Sequence, residues 1–331
     1  GQRAPGRGSP DGGDLGAPRG GRGPDRPRFD VHVDRDGYVW WYLDGLSEDG
    51  RAGVTVIAFV GSVFSPYYAA ARRRGPADPE RHCAINVALY GPRRDHWAMT
   101  ERGRRRIARS ADRFTVGPSS VAFEDGEFVV RVNEIAVPLP RRLVGEIRLR
   151  PRLRHGEHWF LDAAGRHCWQ PIAPNAEIEV HFERPDLHWR GSGYLDSNWG
   201  SEPLEAGFER WHWSRSPVEG GAVLTYDADR RDGSRLRLGL RYDDSGEVRA
   251  ADVPPLRDLP RTGWRVGRRA RSEGLPDVEH TAEDTPFYAR SMIRGRLGGE
   301  DVRMMHESLD LDRFASRWVQ TLLPFRMPRR G

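Results

Sequence analysis

Residues 120–132 have the sequence SVAFEDGEFVVRV, in which Glu124-Asp125-Gly126 joins two apolar, β-branched runs. An Asp-Gly pair between such runs is a strong short-range signal for a β-hairpin. Similar runs recur about every 8 to 14 residues, and helical periodicity is rare. This spacing favours antiparallel sandwiches or barrels over βαβ units. We therefore predict an all-β protein.

The other predicted strands share β-branched or alternating apolar composition and turn residues at their ends. They are Val54–Phe64, Ile85–Tyr90, His158–Asp162, His167–Ile172, Glu177–Glu183, Ala222–Asp227, Arg235–Tyr242 and Gly246–Ala250. A total of about sixteen to eighteen strands suits two barrels of about eight strands each, and a barrel of that size can enclose a small ligand. Short helices are predicted at Pro66–Arg74, Arg102–Ser110 and Leu309–Phe314.

Three regions follow from the composition along the chain. Residues 1–28 are rich in Gly, Pro, Arg and Asp, with almost nothing apolar, which predicts a disordered tail. A Gly-rich turn predicted at Asp196–Gly200, followed by a polar stretch, marks a boundary near residue 200. We expect one β-barrel domain over residues 29–200 and a second over residues 201–331.

The composition argues against several classes of protein. All 53 basic residues are arginine, but 48 acidic residues leave a net charge of only +5, so nucleic-acid binding is not favoured. Two cysteines, Cys83 and Cys168, lie in apolar runs and are predicted to be buried thiols, not a disulfide framework. No signal peptide and no apolar run long enough for a transmembrane helix is found, which predicts a cytoplasmic protein, perhaps bound to a membrane surface.

One constellation resembles chemistry more than any other part of the chain. His167 and Trp169 form a His-x-Trp pair, and Gly191–Gly200 contains Tyr194, Asp196 and Trp199. A carboxylic acid in an aromatic cavity has a raised pKa and can protonate an alkene. The π faces of the rings can then stabilise the cation. Asp196 fits the acid, and His167 fits a group that orients the acid or accepts a proton from water.

Each of these residues also has a structural interpretation. Taken alone, an aspartate beside Asn and Gly is more often a turn residue, and a histidine in an apolar strand is more often part of the core. Trp169 and Tyr194 are the candidate cation-facing rings. The candidate lining of a substrate cavity consists of Trp41, Tyr67, Tyr68, Trp199, Trp211 and Trp213. Phosphate-binding loops and the Gly-x-Ser-x-Gly nucleophile motif are absent from the sequence.

At these residues the chain resembles the carotenoid 1,2-hydratase (hydroxyneurosporene synthase) family of phototrophic bacteria. The resemblance covers about residues 36–329. It is carried by GYVWWYLD at 37–44, GSVFSPYY at 61–68, HCAINVALYG at 82–91, WAMTERG at 97–103, WQPIAP at 169–174, the 191–200 motif and LPFRMP at 323–328.

The resemblance implies two lipocalin-like barrels and a cofactor-independent addition of water to the terminal 1,2 double bond of an acyclic carotenoid such as neurosporene or lycopene. By the His-x-Trp and Tyr-x-Asp patterns, it implies that Asp196, His167, Trp169 and Tyr194 are the catalytic residues. No metal or cofactor is implied. Partners are the carotenoid, water and the surface of the inner, photosynthetic membrane. The oligomeric state stays open.

Two other functions use the same features. A carrier of carotenoids or polyprenoids needs the aromatic cavity but no acid, and a cyclase or pericyclase uses the same scaffold for another reaction. Because a carotenoid lies in a membrane, we also expect an exposed aromatic rim with arginines at the cavity mouth. The predicted rim is Pro66–Arg74, with Tyr67, Tyr68 and three arginines.

Overall fold

A computed structural model of the chain describes residues 19–91 and 94–331. The first half contains fourteen strands and one α-helix. They are β1 Arg19–Arg22, β2 Tyr38–Ser47, β3 Gly53–Val60, α1 Pro66–Arg72, β4 Cys83–Tyr90, β5 His96–Met99, β6 Glu101–Arg102, β7 Ile107–Arg109, β8 Arg113–Val116, β9 Ser119–Glu124, β10 Glu127–Ile135, β11 Arg142–Pro151, β12 Glu157–Phe160, β13 His167–Arg184 and β14 Leu187–Gly200.

The second half is built in the same way, with more helix at its end. Its elements are α2 Leu204–Gly207, β15 Phe208–Val218, β16 Gly221–Arg230, β17 Arg235–Asp243, β18 Val248–Ala250, β19 Leu256–Leu259, β20 Arg268–Arg271, β21 Asp277–Asp284, β22 Tyr288–Leu297, β23 Glu300–Asp310, α3 Leu311–Ala315, α4 Arg317–Arg326 and β24 Arg329–Arg330. Single turns of 3₁₀ helix lie at Pro79–Arg81 and Arg104–Arg106.

Two large sheets account for most strands, and each curls into a half-barrel. The first has the order β24-β6-β4-β3-β2-β14-β13-β11-β10-β9-β8-β7, with β5 beside β4, β12 beside β13 and β1 beside β12. The second has the order β18-β17-β16-β15-β23-β22-β21, and β19 and β20 form a separate pair. Every pairing is antiparallel except β24 with β6. The all-β prediction is confirmed.

The predicted hairpin at 120–132 is formed by β9 and β10. Asp125 and Gly126 both have positive φ, at 53° and 82°, as a tight hairpin turn of mirror-image type requires. The predicted helix at 66–74 is α1, whose first turn is capped by the Ser65 hydroxyl, and the predicted turn near 309–314 is α3. Cys83 and Cys168 are buried free thiols.

Three expectations need correction. Residues 102–110 form β6, a 3₁₀ turn and β7 instead of a helix, because the arginines leave no continuous apolar helical face. Asp196–Gly200 is not a turn but the end of β14, with Asp196 opposite Tyr42 on β2. The disordered tail does not extend to residue 28, because β1 pairs with β12 and Pro24 accepts a hydrogen bond from Gln170. Residues 1–18 lie outside the described part.

The chain passes from the first sheet to the second through residues 201–207. The short β24 at the carboxyl end then returns to pair with β6 of the first sheet. The division into domains at residues 200 and 201 therefore stays a prediction.

Two buried layers position the site. Odd-numbered residues of β2, such as Leu43, point into the apolar core enclosed by the first sheet. Even-numbered residues, such as Tyr42, belong to a second cluster that also contains Trp213 and Tyr226 of the second sheet. The outer face of the first sheet thus packs against the second sheet, and we call the space between them the inter-sheet layer.

Candidate active site

Strand alternation selects which residues of the 191–200 motif reach the inter-sheet layer. Tyr194 and Asp196 of β14 point the same way, as does Trp169 on the neighbouring β13. Leu195, between the two polar residues, belongs to the core of the first sheet. Because successive side chains of a strand point to opposite faces, the Tyr-x-Asp and His-x-Trp spacings each place two side chains on one face.

Asp196 is the central polar group of this layer. Its carboxyl is buried, and Oδ2 accepts hydrogen bonds from Trp169 Nε1 at 2.8 Å and from the Tyr194 hydroxyl at 2.7 Å. The other oxygen, Oδ1, is buried and has no hydrogen-bond partner among the described residues. Both donors are neutral, so no cation is bonded to the carboxyl.

Burial raises the pKa of Asp196 well above its usual range, because the charged form has lost its water. The bonds from Trp169 and Tyr194 favour the charged form and lower the pKa, whereas the charges of Glu307 and Asp44 raise it. Burial therefore favours the neutral, protonated form of this carboxyl. Since Oδ2 already accepts two hydrogen bonds, the proton of the neutral acid belongs on Oδ1, which has no hydrogen-bond partner among the described residues.

Aromatic rings from both sheets surround the acid. Tyr226 of β16 lies edge-on to Trp169 with ring centroids 5.2 Å apart, and Trp213 of β15 lies 5.2 Å from Tyr194. Tyr42 of β2 contacts both Tyr194 and Trp213, at 6.0 and 5.4 Å. Their negative π faces can stabilise a cation that forms beside Asp196.

His167 is buried but does not contact Asp196. Its Nδ1 lies 2.8 Å from the Tyr38 hydroxyl and its Nε2 lies 3.1 Å from Glu202. Phe208 packs edge-on against the ring at 4.9 Å. Burial lowers the pKa of His167, although Glu202 acts in the opposite direction. The hypothesis that this imidazole orients the acid directly is wrong, because both ring nitrogens have other partners.

A second buried carboxyl, that of Asp44, lies on the same face, one strand away. It is bonded to the Arg215 guanidinium of β15, and it also accepts a hydrogen bond from the Tyr42 hydroxyl at 3.0 Å. Burial raises the pKa of Asp44, but the charge of Arg215 and the hydrogen bonds oppose this. Because a guanidinium is the direct partner, Asp44 holds an ion pair between the two sheets.

The candidate cavity residues divide into three groups. Trp211 and Trp213 lie in the inter-sheet layer, and their place in a substrate cavity stays a prediction. Trp41 is one residue from Tyr42 on β2, and Trp199 is three residues from Asp196 on β14, so both lie on the opposite face of the first sheet. There they line a separate surface pocket with His158. They are therefore not part of a cavity at Asp196.

Tyr67 and Tyr68 are the third group. The prediction that Pro66–Arg74 forms an exposed aromatic rim is wrong. Tyr68 is fully buried, its hydroxyl donates to the Gly37 carbonyl at 2.7 Å, and its ring stacks on His82. Tyr67 is only partly buried and lies beneath the Arg329 guanidinium, 5.8 Å from its centroid. The helix turns the aromatic side chain of Tyr68 inward.

Several residues in the inter-sheet layer are not marked by any sequence motif. Tyr226, Arg290 and Glu307 come from the second sheet, and their strands carry no motif that points to a site. Tyr226 lies on the same face of β16 as Leu224 and Ala228. This spacing predicts the buried face of the strand, but it does not predict which residues pack against that face. In the described ranges, no cluster of three or more His, Cys, Asp or Glu side chains has the geometry to hold a metal.

The fold and the site together define a class of protein: a lipocalin-like, double-sheet protein that buries a carboxyl group among aromatic rings. A crystal structure of a protein from Nitrosomonas europaea described as an AttH has a similar fold, with a TM-score of 0.55 and 15% identity over 86% of this chain and 99% of that one. This likeness concerns the fold.

The sequence comparisons identify the family. The model of the carotenoid hydratase CrtC family matches residues 56–331, and the chain belongs to this family. The acyclic carotenoid 1,2-hydratase of Thiocapsa roseopersicina is 50% identical over 100% of this chain and 82% of its own length. That of Rubrivivax gelatinosus is 49% identical over 92% of this chain and 76% of its own length.

Proposed function

We propose that this protein is a carotenoid 1,2-hydratase, which adds water to the terminal 1,2 double bond of an acyclic carotenoid and produces a tertiary alcohol. Its family and its relatives at about 50% identity support the reaction. The observation that carries the assignment is the carboxyl of Asp196, which is buried, has a raised pKa and is hydrogen-bonded through one oxygen only among the described residues. An acid in that state can donate a proton to carbon, whereas an ion-paired carboxylate cannot.

The first step in this proposal is protonation of the alkene by Asp196. The π electrons of the 1,2 double bond take the proton from Oδ1 and form a C–H bond at C2. The cation forms at C1, which carries two methyl groups, and Asp196 becomes a carboxylate. The Trp169 and Tyr194 hydrogen bonds to Oδ2 stabilise this carboxylate, because they favour the charged form. Trp213, Tyr226 and Tyr42 offer π faces to the cation.

The second step is the capture of water. A water oxygen forms the C–O bond at C1, and the proton that this water loses returns to the Asp196 carboxylate. The acid is then restored, and alkene and water have become the alcohol without any change of oxidation state. One carboxyl therefore serves as acid and then as base. No other residue is needed to accept the proton.

We assign His167 a supporting role. It links Tyr38 on β2 with Glu202, which follows β14, and thus fastens the ends of the strands that carry Asp196 and Trp169. The His167→Gln variant should unfold at a lower denaturant concentration, while the pH profile of its remaining activity keeps the wild-type shape. A displaced alkaline limb in that profile would instead mean that His167 takes part in proton transfer.

The substrate also bears on where the protein works. In the described ranges, no helix combines the length and apolar character needed to cross a bilayer. We propose a cytoplasmic protein that binds peripherally to the membrane that holds its carotenoid. Neurosporene and lycopene types are the proposed substrates.

The test uses oxygen-18 water. Purified protein is incubated with lycopene or neurosporene dispersed in mild detergent, and the product is examined by mass spectrometry. The proposal expects a labelled tertiary alcohol from wild type and from Asp301→Asn, a control at an exposed acid, and none from Asp196→Asn. Absence of labelled alcohol from wild type would favour a carrier, and a cyclised, unlabelled product would favour a cyclase.

A further inference from the structure

Helix α4 carries apolar side chains on two opposite sides. Val319 and Leu323 are buried against the protein. Trp318, Leu322 and Phe325 are exposed, with 46%, 41% and 82% of their surfaces accessible. The spacing of four and then three residues places these three side chains along one side of the helix. We call them the α4 ridge. Large apolar side chains grouped on a surface mark an interaction site.

The segment that carries the α4 ridge is rich in arginine. Residues 311–331 contain five arginines and a single acid, Asp312, which is bonded to Arg231. The Arg313 guanidinium lies over the Trp318 ring at 5.9 Å and also donates to the Trp264 carbonyl at 2.9 Å. The half-exposed Trp264 ring stacks on Trp318 and widens the apolar surface. Tryptophan beside arginine and bulky apolar side chains suits an anionic bilayer surface.

The same helix forms part of a pocket. Its inner side contributes Leu323 and Arg326, and the Arg326 guanidinium lies 4.2 Å from the Trp97 ring centroid. The pocket is narrow in this structure, with a volume of about 30 Å³, so a ligand would have to widen it. The remaining lining is mostly aromatic and apolar, and it includes Ile57, Asn86, Met99 and Arg290. The α4 ridge therefore stands beside an aromatic pocket.

The strand register connects this pocket with the catalytic acid. Asp196 is opposite Tyr42, Tyr42 is opposite Ile57, Ile57 is opposite Asn86, and Asn86 is opposite Met99. These residues form one row across the first sheet. Ile57, Asn86 and Met99 line the pocket, so the row runs from the pocket to the acid. At about 4.8 Å per strand, Asn86 lies roughly 14 Å from Asp196.

A matching row crosses the second sheet. Arg290 is opposite Glu307, Glu307 is opposite Trp213, and Trp213 is opposite Tyr226. Arg290 lines the pocket, and its guanidinium lies over the Tyr42 ring at 5.6 Å. Trp213 and Tyr226 contact the rings that hold Asp196. The two rows enclose the same strip of the inter-sheet layer, with the pocket at one end and Asp196 at the other.

We propose that the α4 ridge docks on an anionic lipid bilayer. The end of a polyene then passes from the bilayer through the pocket beside helix α4 and along this strip to Asp196. This inference rests on the proposed hydratase function. The strip is short, so only the terminal part of a long carotenoid leaves the bilayer. Trp318, Leu322 and Phe325 enter the lipid, and the arginines bind the headgroups.

A second copy of the chain fits the α4 ridge less well. A stable protein interface buries about 800 Å² on each partner, which a ridge of three side chains on one short helix does not supply. Two copies would also bring their arginine clusters together, at an electrostatic cost. A bilayer has negative headgroups and unlimited area, and it holds the substrate.

The test begins with binding to vesicles. Full-length protein is sedimented with vesicles of phosphatidylcholine alone or of phosphatidylcholine with phosphatidylglycerol. Wild type should bind the anionic vesicles, and the triple variant Trp318→Ser, Leu322→Ser, Phe325→Ser should bind them at least about tenfold more weakly. The control variant Leu275→Ser, Leu139→Ser removes exposed leucines elsewhere, with 87% and 56% of their surfaces accessible, and should bind as wild type does. Equal thermal unfolding midpoints establish that all variants fold.

The second arm measures hydration with the substrate in two forms. The triple variant should hydrate lycopene in anionic vesicles at least about tenfold more slowly than wild type, and detergent-dispersed lycopene at an unchanged rate. The docking proposal is overturned if the triple variant binds vesicles as well as wild type does. It is also overturned if wild type is a dimer that does not bind vesicles and the triple variant is a monomer. If the triple variant loses vesicle binding but wild type hydrates neither vesicle-bound nor detergent-dispersed lycopene, docking is supported and the hydratase function is refuted.

Discussion

Asp44 and Asp196 lie on neighbouring strands of one sheet face, are equally hidden from water, and meet different groups across the inter-sheet layer. Asp44 meets the Arg215 guanidinium of the second sheet. Asp196 is bonded to the neutral Trp169 and Tyr194, and its Oδ1 has no described partner. Tyr42 stands between them, opposite Asp196 in register and bonded to Asp44.

This difference shows that burial alone does not make a carboxyl into an acid catalyst. Desolvation raises the pKa of both groups, but only Asp44 has a guanidinium partner to offset it. Asp44 is therefore an ion-paired link between the sheets, whereas burial favours the protonated form of Asp196, whose Oδ1 has no described hydrogen-bond partner. The predictions below test this contrast in order of expected effect.

Removing the acid should have the largest effect. In Asp196→Asn the side chain keeps its size but has no acidic proton, so hydration should fall by about 10²–10⁴-fold or more. The rate of alcohol formation from detergent-dispersed lycopene measures this change. The Asp44→Asn variant, assayed where it remains folded, should keep a rate closer to wild type. Equal losses in the two variants would remove the distinction between the two carboxyls.

Removing the ion pair should affect stability most. Asp44→Asn leaves the buried Arg215 charge without a partner, so the free energy of unfolding should fall by about 3–5 kcal/mol. Urea unfolding measures the change. The double variant Asp44→Asn, Arg215→Met should recover part of the loss, since it removes the unpaired charge. No recovery in the double variant would show that Asp44 acts on stability by other contacts.

The stability of the wild type should also depend on pH through Asp196. Its folded pKa is raised, so the folded protein holds this proton more tightly than the unfolded chain does. As the pH rises above the unfolded aspartate pKa of about 3.9, wild type loses stability by up to about 1.4 kcal/mol per unit, until the folded pKa is reached.

The Asp196→Asn variant lacks this loss. Its free energy of unfolding minus that of wild type should therefore increase between pH 4 and neutral pH, as measured by urea unfolding at several pH values. A difference that stays constant over this range would mean that Asp196 titrates alike in the folded and unfolded states.

The hydrogen bonds to Oδ2 should have a smaller effect on rate. Tyr194→Phe removes a donor that stabilises the charged form of Asp196, so its pKa should rise further and the alkaline limb of the pH–rate profile should move to higher pH. The maximal rate should fall by about tenfold, the equivalent of one hydrogen bond to a charged group. Movement of the limb to lower pH would contradict this role. Trp169→Phe should behave in the same way.

Local signals made much of the fold predictable. The Asp125-Gly126 turn, the β-branched runs and the Ser65-capped helix α1 are encoded in adjacent residues. The end of β14 was not predictable in this way, because Ser197, Asn198 and Gly200 favour a turn by themselves. They are held extended by pairing with both β2 and β13, whose residues are distant in the sequence.

The site was predictable only in part, and for a similar reason. The resemblance and the alternating spacing identified Asp196, Trp169 and Tyr194. Their geometry depends on the second sheet, where Arg215 meets Asp44 from 171 positions away in the chain. The α4 ridge also escaped prediction, because Pro324 interrupts its pattern and its outer apolar side chains face solvent.

The protonation state of Asp196 at neutral pH tests the central claim most directly. Infrared difference spectra of wild type minus Asp196→Asn, and of wild type minus Asp44→Asn, report each carboxyl separately. We predict the carbonyl band of a protonated acid for Asp196 and carboxylate bands for Asp44. Carboxylate bands for Asp196 at neutral pH would contradict its assignment as the proton donor.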